Sequence, residues 1–382
     1  MKRAIEALGK PYTFIALSAA GVACFGAVDV VYFETVGYSL AFIGVLTAAF
    51  NFAVSAAELP FAVVFDRYSN KGALQIGNAV RIMAFLLFFL NLSSGTLIAA
   101  EILAGIAVAA MSGTSTALVV NEIEHLDANK ATTAFARISY VSAGAAVVGG
   151  GAGLALFVFR PQWIWLGAAM FFVLAGIVVA TFPDTRAHIE RMPWRQFGRE
   201  VVVSLRSTRA VVMVLANAAA VAPAVLWQLK FNQVSILFIF AGFLGMQIAN
   251  LLGPLLLERF HLRAGSLPVI AVLNVIVAIF FALVQHPAAV WTAFAIHVLL
   301  HGMMLIVIGG VYHARVPNSV RATAGSVISM ADSLVVAVCA PIITIIGQNF
   351  GLPSAIALSG ALYLAIGGLA LTPGVRRAET MA

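Results

Sequence analysis

The sequence predicts an all-α integral membrane protein whose twelve transmembrane helices form two pseudo-symmetric six-helix bundles. The first observation is composition, since 62% of the 382 residues are hydrophobic and only 10% are charged. A soluble domain is about half apolar and about one quarter charged, so composition excludes a soluble protein. The second observation is a set of twelve long apolar runs, and the third is a charged motif that occurs once in each half of the chain.

The apolar runs have the length that a bilayer demands, since a spanning helix needs about 20 apolar residues. They are continuously apolar and rich in Ala, Leu, Val and Gly, without the polar–apolar alternation of barrel strands. The sequence therefore predicts helices rather than a barrel. The runs lie at approximately 12–33, 40–65, 72–91, 95–119, 133–158, 162–182, 210–230, 234–257, 265–285, 289–312, 321–346 and 353–372.

A charged motif interrupts the apolar pattern at two equivalent places, 192 residues apart, which is about half the chain. Each copy separates two apolar runs, which predicts a tight charged hairpin in each half and a duplicated architecture. The copies share an acidic residue, an arginine and a basic residue four positions later: Asp66-Arg67 with Lys71, and Glu258-Arg259 with Arg263.

One connector is much longer than the others. Residues 183–209 contain six arginines, two prolines and Trp194, and they separate six apolar runs from six. We therefore predict an N-terminal six-helix bundle at 1–182, a cytoplasmic basic linker at 183–209 and a C-terminal six-helix bundle at 210–382. Aromatic and aliphatic residues interleave with the arginines, as in a helix on an anionic leaflet. We favour this membrane-surface connector over a protein-binding site.

The positions of the positive charges predict the orientation of the chain. With the N-terminus in the cytoplasm, 19 of the 22 lysines and arginines fall on the cytoplasmic side, Arg160 and Lys230 fall outside, and Arg81 lies within the third helix. Cytoplasmic loops accumulate lysine and arginine, so both termini are expected in the cytoplasm. The net charge of +7 therefore reflects topology, and nothing in the sequence calls for nucleic acid.

Two sets of six helices, a basic central loop and a charged loop between helices 2 and 3 resemble the major facilitator superfamily. Residues 62–71 (Ala-Val-Val-Phe-Asp-Arg-Tyr-Ser-Asn-Lys) carry the match to a family pattern of Gly, three residues, Asp-Arg and a basic cluster. Ala62 and Ser69 replace the glycines of that pattern, and Pro254 takes the glycine position of the second copy. The resemblance implies a secondary transporter that alternates access to a site near the middle of the membrane.

The resemblance also implies a cytoplasmic gate. Asp66 would face the N-terminus of helix 11, where the helix dipole favours a negative charge by about 0.3–1 kcal/mol. Arg67 would meet Glu122 or Glu124, and Glu58 would support the gate from helix 2. The alternative is that these charges only set topology. The predicted gate residues are Glu58, Asp66, Arg67, Lys71, Glu122, Glu258, Arg259 and Arg263.

Ionisable side chains inside the spans are energetically costly, so each one needs an account. Asp29 lies in helix 1, which lines the cavity in the family; it is a candidate proton or cation site, or it snorkels to the outer interface. Glu101 in helix 4 precedes Gly105 by four residues, where the resemblance implies an arginine in many antiporters, so the charge is reversed here. Arg81 in helix 3 is the candidate partner of Glu101, in a pair that is either structural or opened by protonation.

Two histidines, His297 and His301, lie one turn apart on helix 10 and so share a face. We place them in the candidate proton-coupling and substrate cavity with Asp29, Glu101 and Arg81; the alternative is hydrogen-bonded packing. No carboxylate or cysteine stands at metal-ligand spacing beside them, and the two cysteines of the chain give no disulfide framework. We expect no metal and no cofactor.

The function that these observations favour is proton-coupled export of small amphipathic or hydrophobic compounds. In helix 5, Gly149 and Gly150 match part of the antiporter signature of the family, although its Gly-Pro is missing. The alternatives are a proton-coupled importer of a nutrient or metabolite, and a non-transporting receptor or assembly partner on the same scaffold. An enzyme is not expected, because no nucleophile, base and orienting residue stand at readable spacing.

The expected partners follow from this reading. They are a small-molecule substrate, protons and the lipid bilayer, without nucleic acid. We expect a monomer in the cytoplasmic (inner) membrane of a bacterium.

Overall fold

The computed structural model describes residues 2–65, 70–111, 128–182, 199, 206–314, 316 and 321–376, and these are almost wholly helical. The helices up to residue 182 are α1 Lys2–Gly26, α2 Asp29–Thr35, α3 Leu40–Phe65, α4 Asn70–Leu90, α5 Ser94–Met111, α6 Ala128–Phe159 and α7 Trp163–Ala180. Those after residue 206 are α8 Thr208–Asn232, α9 Phe238–Phe260, α10 Leu267–Leu283, α11 Pro287–His313, α12 Arg321–Phe350, α13 Leu352–Ala370 and α14 Pro373–Arg376. A 3-10 turn at Ala264–Ser266 precedes α10.

Twelve segments of the described chain are long and apolar enough to cross a membrane. Each coincides with one of the twelve apolar runs, and α1 with α2 makes the first. The predicted all-α fold with twelve spans is therefore confirmed. Many apolar side chains point outwards, where lipid would cover them; Val148 and Ile177, for example, are 67% and 59% exposed in the protein alone.

The first span differs from the continuous helix that the sequence predicts. The backbone N–H of Val28 bonds to the carbonyl of Phe25, three positions back, at 2.9 Å. Val28 itself leaves the helical region, with φ −142°. Gly26 is a weak helix former, and the Asp29 side chain accepts a hydrogen bond from the N–H of Val30 (2.9 Å), which competes with regular helical bonding.

The chain divides into two compact units, one of residues 1–36 and 49–189 and the other of residues 37–48 and 190–382. Residues 37–48, which were predicted to belong to the N-terminal bundle, pack within the second unit. There the N–H of Ala41 donates to Oε1 of Gln348 (2.9 Å), and Gly44 lies against Pro341 and Thr344 of α12. Most of the predicted linker lies outside the described residues.

The first unit contains a close crossing of α1 and α6. Gly149 lies against the backbone of Ala20, and Gly153 lies one turn later against the backbone of Cys24. A Cβ on either glycine would overlap those backbone atoms. Small residues at this spacing allow helices to approach closely in a membrane. Helix α7 also packs on α1 and on α4.

The second unit has a core formed by α8, α10, α11 and α13. Helix α10 runs along α13, where Gly360 and Gly367 lie against Ile279 and Ala271. Gly351, with φ +84°, makes the turn from α12 to α13 in a conformation that L side chains rarely adopt. Fully buried members of this core include Val212, Ala216, Leu267, Met304, Ile308 and Ile366.

Candidate functional site

Asp29 is the first residue of α2, directly after the break in the first span. Its side chain is half-buried, whereas Ala27 and Val28 before it are 1% and 0% exposed. Irregular backbone at membrane depth is stable only where protein or a water-filled cavity surrounds it. The protein covers this break, and the break places a carboxyl group within the first unit.

Glu101 of α5 lies close enough to Asp29 for the two charges to interact. Glu101 is also half-buried as a residue, and protein encloses its carboxyl group. Like charges repel most strongly where water is scarce, and a proton or a cation on the pair removes that repulsion. Two carboxyl groups that were separate candidates from the sequence are therefore neighbours in the structure.

Gly105 determines how closely α5 packs against α3. A Cβ at position 105 would lie 2.5 Å from the carbonyl oxygen of Phe50 and 2.9 Å from the Cβ of Ala53. No side chain fits there unless the helices separate. Glu101 lies one turn before Gly105 on the same helix. The close contact of Gly105 with α3 therefore also fixes the position of the Glu101 side chain within the first unit.

Arg81 of α4 interacts with an aromatic ring rather than with Glu101. Its guanidinium carbon lies 4.7 Å from the centroid of the Phe172 ring, and the side chain is 8% exposed. A cation over the face of an aromatic ring is attracted by the quadrupole of the ring. Within the described residues, no ion pair joins Arg81 to Glu101. In this conformation Asp29, rather than the predicted Arg81, is the charged neighbour of Glu101.

Trp165 of α7 is the centre of an aromatic cluster beside the break. Its ring is 1% exposed, and its centroid lies 4.4 Å from that of Phe88 and 5.4 Å from that of Phe25 in stacked arrangements. Tyr32 and Phe33 of α2 contact the same indole. The aromatic cluster therefore holds α2 in place and forms an apolar wall next to Asp29.

Lys71, one of the predicted gate residues, caps the C-terminus of α7. Its Nζ donates to the carbonyl oxygens of Ala180 (2.7 Å) and Phe182 (3.0 Å). Lys10 donates to the neighbouring carbonyl of Thr181 at 3.3 Å. The last carbonyls of a helix have no partner within the helix and carry partial negative charge, so a lysine stabilises them. Lys71 has a structural role here whether or not it also belongs to a gate.

The other predicted gate residues of the first half are mostly not described. Asp66, Arg67 and Glu122 lie outside the described residues. Glu58 is 7% exposed within α3. The gate around these residues stays a prediction.

The charged loop of the second half is a tight turn after α9. Glu258 and Arg259 are exposed at the end of that helix. His261 adopts the left-handed conformation (φ 49°), and its N–H bonds to the carbonyl of Glu258 at 3.3 Å. The N–H of Arg263, which is also exposed, donates to Oγ of Ser266 at 3.4 Å. The loop has the compact form that the sequence repeat predicts.

His297 and His301 of α11 meet Tyr363 of α13 in the core of the second unit. The Tyr363 hydroxyl lies 3.1 Å from Nδ1 of His301, and the two imidazole rings stack with centroids 6.2 Å apart. His297 is 3% exposed, and its Nδ1 has no hydrogen-bond partner among the described residues. Tyr363 belongs to this polar cluster although nothing in the sequence singles it out.

Two further charged residues of the second unit, Lys230 and Asp332, have neutral partners. The Nζ of Lys230 donates to the carbonyl of Ala282 at the end of α10 (3.1 Å), and the lysine is 4% exposed, so it caps that helix. Asp332 of α12 is hydrogen-bonded by the side-chain amide of Asn217 of α8. The polar Asn217 in an alanine-rich span was the only signal for this contact in the sequence.

A groove of about 330 Å³ lies between α4 and α7 of the first unit. Its walls are mostly apolar, with Gln75 and Asn78 as the polar exceptions. Neither Asp29 nor Glu101 lines it, so the groove is distinct from the carboxyl pair.

The sequence profile of the Major Facilitator Superfamily matches residues 12–286, well over half of the chain. This chain belongs to the major facilitator superfamily. The match covers the first half from residue 12 onwards, with Asp29 and Glu101, and continues beyond the second charged loop. The comparison with curated proteins finds no match.

Solved structures of superfamily transporters share the fold over nearly the whole chain. A single-residue mutant of the nucleoside transporter NupG superposes with a TM-score of 0.80 at 12% identity, covering 95% of this chain and 98% of that one. A POT family transporter in complex with 5-aminolevulinic acid gives 0.76 at 12% identity, covering 95% and 94%. The human organic anion transporter MFSD10 (TETRAN) gives 0.68 at 11% identity, covering 96% and 99%.

These comparisons confirm the family and the fold that the sequence predicts. Membership of the superfamily and structural neighbours that are transporters indicate a multi-pass membrane transporter rather than an enzyme. At 11–12% identity the likeness concerns the fold alone.

Proposed function

We propose that this member of the superfamily is a proton-coupled antiporter that exports small amphipathic or hydrophobic compounds by alternating access. The observation that carries the proposal is the interaction of Asp29 with Glu101 inside the first unit. One proton on this pair relieves the repulsion of the two carboxylates, and an arriving cationic or polar group does the same. A site that holds either a proton or a substrate, but not both, couples their movement in opposite directions.

The setting of the pair supports the proposal. Asp29 begins a half-helix at a break, and interrupted helices in transporters place binding groups near the middle of the membrane. The buried aromatic cluster around Trp165 packs on this half-helix and holds Asp29 in position beside an apolar wall. His297 and His301 form a second polar cluster that we propose as part of the proton path.

The proposed membrane is the cytoplasmic membrane of a bacterium, with a monomer whose termini both lie in the cytoplasm. The distribution of lysine and arginine supports this orientation, because 19 of 22 fall on one side. Export then means movement away from the side on which the charged loops, including Glu258 and Arg259, are exposed.

A second candidate is proton-coupled uptake of a nutrient or metabolite by the same residues. Its support is the likeness to proteins named as a nucleoside transporter and as a POT family transporter with 5-aminolevulinic acid bound. Such solutes are small and polar, and the two half-buried carboxyl groups would suit their hydrogen-bond donors.

The deciding experiment uses inverted membrane vesicles with an acidic interior and a fluorescent pH indicator. Cationic, neutral and anionic compounds are added outside, on the cytoplasmic face. An antiporter releases protons when its substrate enters, and Glu101→Gln and Asp29→Asn are each expected to abolish that release. Glu34→Gln is the matched control, because Glu34 is an exposed carboxylate on the same half-helix α2.

The outcomes separate the candidates. Compound-dependent proton release that is lost in both variants and kept in Glu34→Gln supports antiport at the pair. Protons that leave only together with a compound preloaded inside the vesicles support uptake instead. Release that survives in both variants contradicts a role of Asp29 and Glu101 in coupling. Size-exclusion chromatography of each purified variant verifies that it is folded.

A further inference from the structure

Among the described spans of the second unit, Asp332 is the one carboxylate that lies away from a helix end, since Glu258 lies in the last turn of α9. The residue is half-buried, but its Oδ1 atom is fully buried and has no hydrogen-bond partner among the described residues. A buried carboxylate oxygen without a partner loses its hydration without compensation. The contacts of Asp332 within the described residues therefore do not compensate for the burial of its carboxylate.

The contact with Asn217 satisfies only part of this carboxyl group. The Asn217 amide hydrogen-bonds Asp332 across the packed helices α8 and α12, and its Nδ2 also donates to the carbonyl of Met213 at 3.3 Å. Nδ2 carries two hydrogens, so the amide has no further hydrogen to offer. The amide positions the carboxylate but brings no positive charge.

No positive charge of the described residues neutralises Asp332. Lys230 donates to the carbonyl of Ala282, and in the described residues no lysine, arginine or histidine makes an ion pair with Asp332. A carboxylate at this depth is stable when a proton or another cation accompanies it. The charge that Asp332 lacks within the protein is one that a ligand can bring.

We propose that Asp332 and Asn217 form a subsite in the second unit for a monovalent organic cation, such as a protonated amine, carried as substrate. The inference rests on the proposed transport function and names its substrate class. Asp332 supplies the charge, and Asn217 positions it as a hydrogen-bond donor. The pair selects cations over neutral or anionic compounds of equal size, because an anion would meet an uncompensated negative charge.

Two ions of matched shape and opposite charge test the proposal. Tritiated tetraphenylphosphonium and tetraphenylborate are equilibrated with purified protein in detergent micelles, and empty micelles give the background. Wild type is expected to bind the phosphonium at least tenfold more tightly than the borate. Asp332→Asn should lower the phosphonium affinity at least tenfold, Asn217→Ala should lower it severalfold, and Glu34→Gln should leave it unchanged.

A labelling experiment on the unmodified protein avoids any question of variant folding. Dicyclohexylcarbodiimide modifies carboxyl groups in apolar surroundings, and peptide mass spectrometry quantifies the product at Asp332. Tetraphenylphosphonium should reduce this labelling and tetraphenylborate should not. Equal labelling with and without the phosphonium, or unchanged phosphonium affinity in Asp332→Asn, overturns the subsite.

Binding and transport fail separately in this design. If phosphonium binding does not depend on Asp332 but vesicles still release protons, the subsite is rejected and the proposal of antiport is kept. Phosphonium binding that depends on Asp332, without proton release for any compound, would keep the subsite and remove the proton coupling.

Discussion

Gly153 of α6 lies directly against the carbonyl group of Cys24 of α1, with no room for a side chain between the two backbones. Gly149, one turn earlier, makes the same contact with Ala20. The two helices are thus in backbone contact along a full turn. This crossing lies in the first unit, in the helix that leads to the break before Asp29.

Gly153→Leu is expected to destabilise the protein by about 1–3 kcal/mol or more, because the new side chain must push the two backbones apart. The midpoint of thermal unfolding in detergent should fall accordingly. Gly144→Leu is the matched control on the same helix, since a Cβ at 144 meets no atom within 4 Å. Equal midpoints for the two variants would contradict the close crossing.

Trp165→Ala is expected to lower the free energy of unfolding by about 3–5 kcal/mol, because it removes the ring on which the aromatic cluster packs. The measurement is denaturant unfolding followed by circular dichroism. Phe159→Ala removes an aromatic ring that is 72% exposed and should change stability by no more than about 0.5 kcal/mol. A small effect at Trp165 would mean that the cluster collapses readily around the cavity.

Lys71→Met is expected to cost about 1 kcal/mol of stability, because it removes the charge that caps the last carbonyls of α7. Lys71→Arg should restore most of the loss. Arg137→Met, at an exposed basic residue, serves as the comparison and should be nearly neutral. If Lys71→Met abolishes transport while its unfolding curve matches wild type, the residue acts in the gate rather than as a cap.

Tyr363→Phe is expected to lower stability by about 1–2 kcal/mol, because it leaves Nδ1 of His301 without its hydroxyl partner. The unfolding midpoint measures the loss. Tyr140→Phe removes a hydroxyl from a ring that is 58% exposed and should have no measurable effect. An unchanged midpoint for Tyr363→Phe would show that the hydroxyl contributes nothing to the histidine cluster.

The spans could be predicted from the sequence because lipid imposes one rule on every residue. A chain in hydrocarbon must bond its own backbone, and twelve apolar runs of sufficient length leave few other solutions. The break before Asp29 could not be predicted in the same way. It depends on the competition of a few hydrogen bonds around Gly26 and Val28, each comparable in strength to those of a regular helix.

The neighbours of the intramembrane charges were harder to predict than the charges themselves. Asp29, Arg81 and Glu101 stand out in apolar runs, but helical periodicity gives a face and not a partner on another helix. Arg81 turns to Phe172, and Glu101 lies near Asp29. The contact of Asn217 with Asp332 likewise depends on the packing of two helices that are far apart in the sequence.

The break between α1 and α2 divides the first span into two parts with different mechanical support. Glycine contacts hold α1 against the backbone of α6, which leaves these two helices little room to shift against each other. Only α2 beyond the break carries Asp29, and aromatic side chains hold it. Rings slide and tilt at less energetic expense than interlocked backbones. A change of charge at Asp29 therefore acts on the seven-residue helix α2, and the backbone contacts between α1 and α6 need not break.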